Sequence, residues 1–207
     1  MPTDDTQLIR FLQQECSRLK DENQLLKDDV RALRRYLQAL QSLQETVQRF
    51  TPEQDILTLL DDTLYCALEL VDATDGSLML IDEETDELVF VLVHGAVRKT
   101  LPGIRFDRRQ GIAGWVAENA RPVVVNNVLT DLRFLRDMDE QIGFETRALV
   151  AVPLVARGNV LGVIEGLNKR SGEDFTEEDG RLLSVLATLA ASALDYAAAV
   201  IEAEEQA

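Results

Sequence analysis

Residues 158–187 read GNVLGVIEGLNKRSGEDFTEEDGRLLSVLA. Val160–Asn168 is a run of strand length and reads as a long strand. Upstream, Arg157-Gly158-Asn159 reads as a tight turn. It leads back to a second such run, Ala148–Val155, so the two runs form an antiparallel hairpin. Downstream, Thr176 with Asp179 three residues on is a variant capping box. It opens a helix that runs to about residue 203, roughly 40 Å at 1.5 Å per residue. A β-hairpin feeding a long helix points to an α+β domain. Between them, Asn168, Lys169, Phe175 and Asp179 pose a question: a ligand-pocket signature, or the joint between a strand end and a helix start.

Working outward, Ile56, Leu59, Leu60, Thr63, Leu64, Ala67, Leu68 and Val71 share one helical face. Cys66 lies beside that stripe and reads as a buried, inert thiol. Ser77–Ile81 and Leu88–Val93 are strand runs joined by the acidic turn Asp82–Glu87. Gly111–Asn119 reads as a short helix and Pro122–Val125 as a short strand. Asn126–Gly143 is polar and irregular, a lid-like loop with a helical turn.

The first fifty residues follow a different period. Leucine recurs at Leu12, Leu19, Leu26, Leu33 and Leu40, with Ile9, Cys16, Asn23, Val30 and Leu37 at the alternate core positions of a heptad. In a parallel pair the flanking residues Glu15–Lys20, Glu22–Lys27 and Asp29–Arg34 oppose each other with opposite sign, and Asn23 in the seam fixes register and two-strandedness. This segment resembles the zipper of basic-zipper transcription factors. The resemblance ends there, because residues 1–8 hold no run of Arg and Lys to read DNA. A three-residue stammer follows Leu40. Thr51-Pro52 then restarts a helix, with Thr51 as N-cap and Pro52 at the first helical position. The expected division is a dimeric coiled coil over 1–50, a globular domain over 51–203 and a tail over 204–207.

Composition narrows the function classes. Net charge is −16, and residues 1–50 carry eight basic and eight acidic side chains of the totals of 21 and 37, so the excess lies in residues 51–207. An acidic surface repels phosphate backbones, which argues against a nucleic-acid partner. Two cysteines, Cys16 and Cys66, are too few for a disulfide framework or a four-cysteine metal site. No basic-then-apolar leader opens the chain, so the cytoplasm is the expected location. Leu182–Ile201 is apolar, but Ala-rich and interrupted by Asp195. It reads as a helix of a soluble domain, with no membrane partner.

Four segments, in order, resemble the GAF domain family: GIAGWVAENARPVVVNNV (111–128), the run from Asp131 through Phe134, Asp139, Gly143-Phe144 and Thr146-Arg147, then Val152-Pro153-Leu154, and the opening stretch. The resemblance covers about residues 51–203. It implies an antiparallel sheet in the order 2-1-5-4-3, numbering the five expected strands along the chain. Terminal helices would cover one face, and short helices and loops on the other would form a small-molecule pocket. It also implies homodimers through the terminal helices.

Within that frame no catalytic constellation is legible. His94, the single histidine, stands at a strand end without a Cys, Ser or Asp nearby in sequence to make a triad. The positions of Cys16 and Cys66 fit neither sulfoxide reduction nor bilin attachment, and no haem or metal is expected. Arg98, Lys99, Arg105, Arg108 and Arg109 invert the local charge. They read either as a rim for an anionic ligand or as a solvated loop paired with the acidic surface. Trp115 stacks on a ligand ring or fills core. Ser77 and Met79 share one strand face and are candidates for the pocket floor. Asn168, Lys169, Phe175 and Asp179 match the signature of nucleotide-binding GAF domains of cyclic-nucleotide phosphodiesterases, except that Gly180 stands where the final Glu belongs. The same residues make sense without a ligand, as a Lys–Asp clamp over a buried Phe. The expected function is a non-enzymatic, homodimeric small-molecule sensor signalling to a partner protein. The alternatives are a scaffold with a vestigial pocket and a cyclic-nucleotide-binding regulator.

Overall fold

The computed structural model describes residues 8–24, 26–27, 30, 33, 37 and 56–205. The chain divides into two units, Met1–Gln41 and Ser42–Ala207. In the first, residues 8–24 are helical. Leu12, Leu19, Leu26, Val30, Leu33 and Leu37 are exposed there, as is Cys16. Asn23 is exposed on the same helix. Arg18 bridges Glu15 and Glu22 at 2.9 and 2.7 Å along the helix surface. Leu40, the stammer and the Thr51-Pro52 restart lie outside the described residues.

The second unit is an antiparallel sheet with helices on both faces. Its elements are α1 (Ile56–Leu70), β1 (Ala73–Asp82), β2 (Glu87–His94), β3 (Arg105–Asp107), α2 (Gly111–Asn119), β4 (Val123–Val125), α3 (Arg136–Ile142), β5 (Leu149–Ala156), β6 (Asn159–Lys169) and α4 (Glu177–Glu205). The strands are ordered β3-β2-β1-β6-β5-β4. Setting β3 aside, this is the expected 2-1-5-4-3 order. The unforeseen β3 extends the edge, with Leu88 opposite Phe106. Its three residues are too few to show a period of two.

Register explains how the two faces differ. Gly76 lies opposite Gly166, and Ser77 opposite Glu165, across the central β1–β6 ladder. Side chains alternate along a strand, so the glycine pair points to one face and the polar pair to the other. On the glycine face, α1 packs closely: a Cβ on Gly76 would lie 2.4 Å from the Leu68 side chain and 2.5 Å from the Glu165 carbonyl oxygen. Leu60, Leu64 and Leu68 of α1 and Leu183, Leu186, Ala187 and Ala190 of α4 are buried. At roughly 25 cal/mol per Å2 of apolar surface removed from water, such a face is the main stabilising term.

The connections follow backbone chemistry. Arg157 and Gly158 both have positive φ, at 49° and 84°, between paired Ala156 and Asn159, the requirement of a two-residue type I′ hairpin turn. At the start of α4, Asp179 N–H donates to Thr176 Oγ1 at 3.2 Å while Thr176 N–H donates to Asp179 Oδ2 at 2.7 Å, a reciprocal capping box. Cys66 is half-buried rather than buried. One helical stretch, Glu177–Val200, is long and apolar enough by composition to cross a membrane, with mean hydropathy 1.6. Within it Asp195 pairs with Arg157 at 2.8 Å.

Candidate functional site

The sheet face opposite α1 and α4 is covered by α2, α3 and the loop after β2, and they do not fill it. A cavity of about 700 Å3, open solvent at its mouth included, lies between them. Its wall is mostly apolar and aromatic: Met79, Phe90, Phe106, Phe134, Met138 and Phe144 all contribute.

Polar groups enter at few points. Ser77 is 2% exposed and its Oγ has no hydrogen-bond partner among the described residues. Glu165, opposite it on β6, also lines the cavity. Burial, reinforced by the nearby Asp139 charge, raises the Glu165 carboxyl to about 7. Glu165 is half-buried, on the cavity lining. Asp139 accepts hydrogen bonds from Thr146 N–H at 2.7 Å and Thr146 Oγ1 at 3.0 Å. Asp75 accepts from Ala96 N–H at 2.7 Å and Thr74 Oγ1 at 2.6 Å. His94 is on the wall, with Nε2 2.9 Å from Asp61 Oδ1 of α1 and its ring 6.0 Å from that of Tyr65. Gly111, Ile112 and Ala113, the first turn of α2, complete the rim.

The GAF domain family profile matches residues 53–195. The chain belongs to the GAF family. Among curated proteins, this GAF domain is similar to the probable 3′,5′-cyclic phosphodiesterase pde-5 of Caenorhabditis elegans, 34% identical over 63% of this chain and 19% of that protein. It is also similar to the dual 3′,5′-cyclic-AMP and -GMP phosphodiesterase 11 of Drosophila melanogaster, 31% identical over 68% of this chain and 11% of that protein. The chain thus spans less than a fifth of the length of either relative. Among solved structures, the GAF domain of a Coxiella burnetii phosphoenolpyruvate-protein phosphotransferase superposes with a TM-score of 0.68, at 20% identity, over 78% of this chain and 95% of that one. This likeness speaks to the fold.

The GAF cavity gathers some of the residues singled out in the sequence and leaves others aside. Ser77 and Met79 are on its floor. The basic residues are not among its lining. Arg105 reaches Asp82 at 2.7 Å and Glu87 at 3.4 Å, and Arg108 and Arg109 both reach Asp86 at 3.0 and 2.5 Å. These pairs answer the acids of the β1–β2 turn, and Arg98 and Lys99 are exposed. Trp115 also stands outside the lining. The Arg133 guanidinium lies 4.6 Å from its ring centre and is held by both Asp131 oxygens.

The Asn168, Lys169, Phe175 and Asp179 set likewise lies outside the cavity lining. Lys169 Nζ is 2.8 Å from Asp179 Oδ2, with side chains only 12% and 10% exposed, over buried Phe175. Asn168, at φ 52°, accepts from Arg147 N–H at 2.9 Å and donates to Glu145 O at 2.8 Å. Asn126 holds Phe175 reciprocally, accepting its N–H at 2.7 Å and donating to its carbonyl at 2.9 Å. These residues tie β6 to α4 and to the preceding loop. Sequence reading missed Glu165, Asp139, Thr146 and Asp75. Glu165 had a visible signal, a lone carboxyl inside a buried strand. Asp139 and Thr146 join the site through the packing of α3 and the loop after it, and Asp75 through the polar start of β1. Among the described residues no cluster of three His, Cys, Asp or Glu is placed to hold a metal.

Proposed function

We propose that this chain is a non-enzymatic, homodimeric GAF sensor. A small molecule in the cavity biases the packing of α1 and α4, and a partner protein reads the change. The observation that carries the reading is the cavity itself, apolar-walled, with a buried Ser77 Oγ that has no partner among the described residues. Two further features support it. His94 connects the cavity wall to α1 through Asp61. The exposed leucines of the N-terminal helix have the spacing of a two-stranded seam. The protein works in the cytoplasm on this reading. Native mass spectrometry of the purified chain, before and after incubation with a small-molecule cell extract, tests it. The expected result is a dimer carrying a releasable low-mass compound. A bare polypeptide mass under both conditions contradicts it.

A second reading is a cyclic-nucleotide-binding regulator. It is favoured by the likeness to proteins named as cyclic-nucleotide phosphodiesterases, and by the first turn of α2 on the rim, whose N–H groups suit a phosphate. Calorimetric titration of cyclic AMP and cyclic GMP decides it. Affinity of about 10 μM or better, near −7 kcal/mol, establishes this reading. Absence of heat at millimolar nucleotide removes it.

A further inference from the structure

The cavity holds an asymmetry of charge. Among the described residues its lining includes Asp75, Asp139 and Glu165 and no Lys or Arg. The His94 ring, at the wall, is turned to α1, where Nε2 is engaged by Asp61. The two aspartates are held by neutral donors, the backbone N–H and hydroxyl groups of Ala96, Thr74 and Thr146. These bonds orient the carboxylates without cancelling their charge. The opposing feature is the α2 N-terminus, worth about half an elementary charge. It does not balance the acids around it.

Two polar side chains on the floor have no partner among the described residues. Ser77 Oγ has none among the described residues. Glu165 makes no side-chain hydrogen bond or ion pair among them either. They face each other across the β1–β6 ladder, with Cβ atoms about 5 Å apart as in any directly opposed pair. A buried serine hydroxyl without a partner is rare in folded proteins, and a ligand is one of the few things that satisfies it. An ammonium group fits between the two. It is a point cation with several donors, which both oxygens can accept.

We infer that the cavity takes a small molecule with a protonated amine on an apolar or aromatic body, its ammonium held between Glu165 and Ser77. This rests on the reading of the cavity as a ligand site. Its apolar walls receive the body, and its acids exclude anions. The titratable groups that line the cavity with Glu165 are Asp75 from β1 and Asp139 from α3; His94 of β2 lies opposite Gly76 and turns its ring to Asp61 and Tyr65 of α1 on the other face. An entering ammonium is then the main compensation for the Glu165 charge, and binding is coupled to loss of its proton.

The test uses the full chain and three probes of one shape: benzylamine, benzyl alcohol and benzoate. Binding is read from the methyl resonances of Met79 and Met138. Benzylamine should bind about tenfold or more tighter than benzoate at about pH 8, and its affinity should rise between about pH 6 and about pH 8, while that of benzyl alcohol stays flat. Glu165→Gln should abolish the amine preference and its pH dependence. Ser77→Ala should weaken the amine alone, and it serves if the first variant does not fold. Equal or tighter binding of benzoate by the wild type overturns the proposal and leaves the cavity as a ligand site. A preference unchanged in both variants also overturns it. If none of the three probes moves either methionine signal, the ligand-site reading falls and the proposal with it.

Discussion

Glu165 occupies a position where strand burial would ordinarily place a β-branched apolar residue. Its carboxyl titrates at about 7 against an ordinary 4.5. Between those values the folded domain keeps a proton that the unfolded chain has lost. Stability therefore falls as pH rises from about 4.5 to about 7, by up to ~3 kcal/mol at 1.36 kcal/mol per pH unit. Water in the cavity reduces that figure. Glu165→Gln should melt close to wild type near pH 4.5 and well above it near pH 8; an equal difference at both pH values contradicts this. Lys169 and Asp179 test a different kind of burial. Removing one partner of a buried pair costs about 3–5 kcal/mol. Asp179→Ala should cost more than Lys169→Ala in denaturant melts, because it also strips the Thr176 cap. The Lys–Asp clamp was legible in the sequence because its partners are ten residues apart across one connection. Asp139 and Thr146 were not, since they reach the cavity through the packing of a short helix and the loop after it, and Asp75 was not, since it sits in the polar start of β1, which gives no apolar signal.

At the scale of elements, the decisive contacts are those that let helices approach the sheet. Gly76 and Gly166 leave the space that α1 occupies. Gly76→Ala should destabilise the domain by about 1–3 kcal/mol, the cost of forcing a methyl into a packed core, as read by chemical denaturation; a neutral result means α1 is free to shift. Phe175→Ala should cost roughly 3–5 kcal/mol, because the ring is 2% exposed and its backbone is pinned by Asn126. The strands, α2 and α4 were readable from hydrophobic runs and caps, whereas the strand order was an expectation from the GAF resemblance. The strand β1 begins at Ala73, ahead of the expected Ser77, because Ala73 pairs with Lys169 and Thr74 Oγ1 donates to the Asn168 carbonyl at 2.9 Å. A polar Thr-Asp start gives no apolar signal. Of the two readings of the charged loop, pairing with the acidic surface is the one its arginines follow, since Arg105, Arg108 and Arg109 reach acids of the β1–β2 turn some twenty residues away in sequence; the short edge strand β3 within it was not foreseen.

For the whole molecule, the heptad leucines and Asn23 are the grounds for the proposed parallel dimer, in which the Cys16 thiols of two chains would meet across the seam. Mild oxidation should link wild-type chains and leave Cys16→Ser unlinked; a monomer in light scattering at micromolar concentration contradicts the dimer. The ligand cavity lies within the second unit and can be tested apart from assembly. The protein has three methionines, Met1, Met79 and Met138, and the last two line the cavity. Methyl-labelled methionine spectra of the full chain, recorded against a library of small molecules, therefore carry their own control. The predicted result is a compound that shifts Met79 and Met138 together in a saturable way while Met1 stays still. Shifts confined to Met1, or no saturable shift from any compound, would contradict a small-molecule sensor.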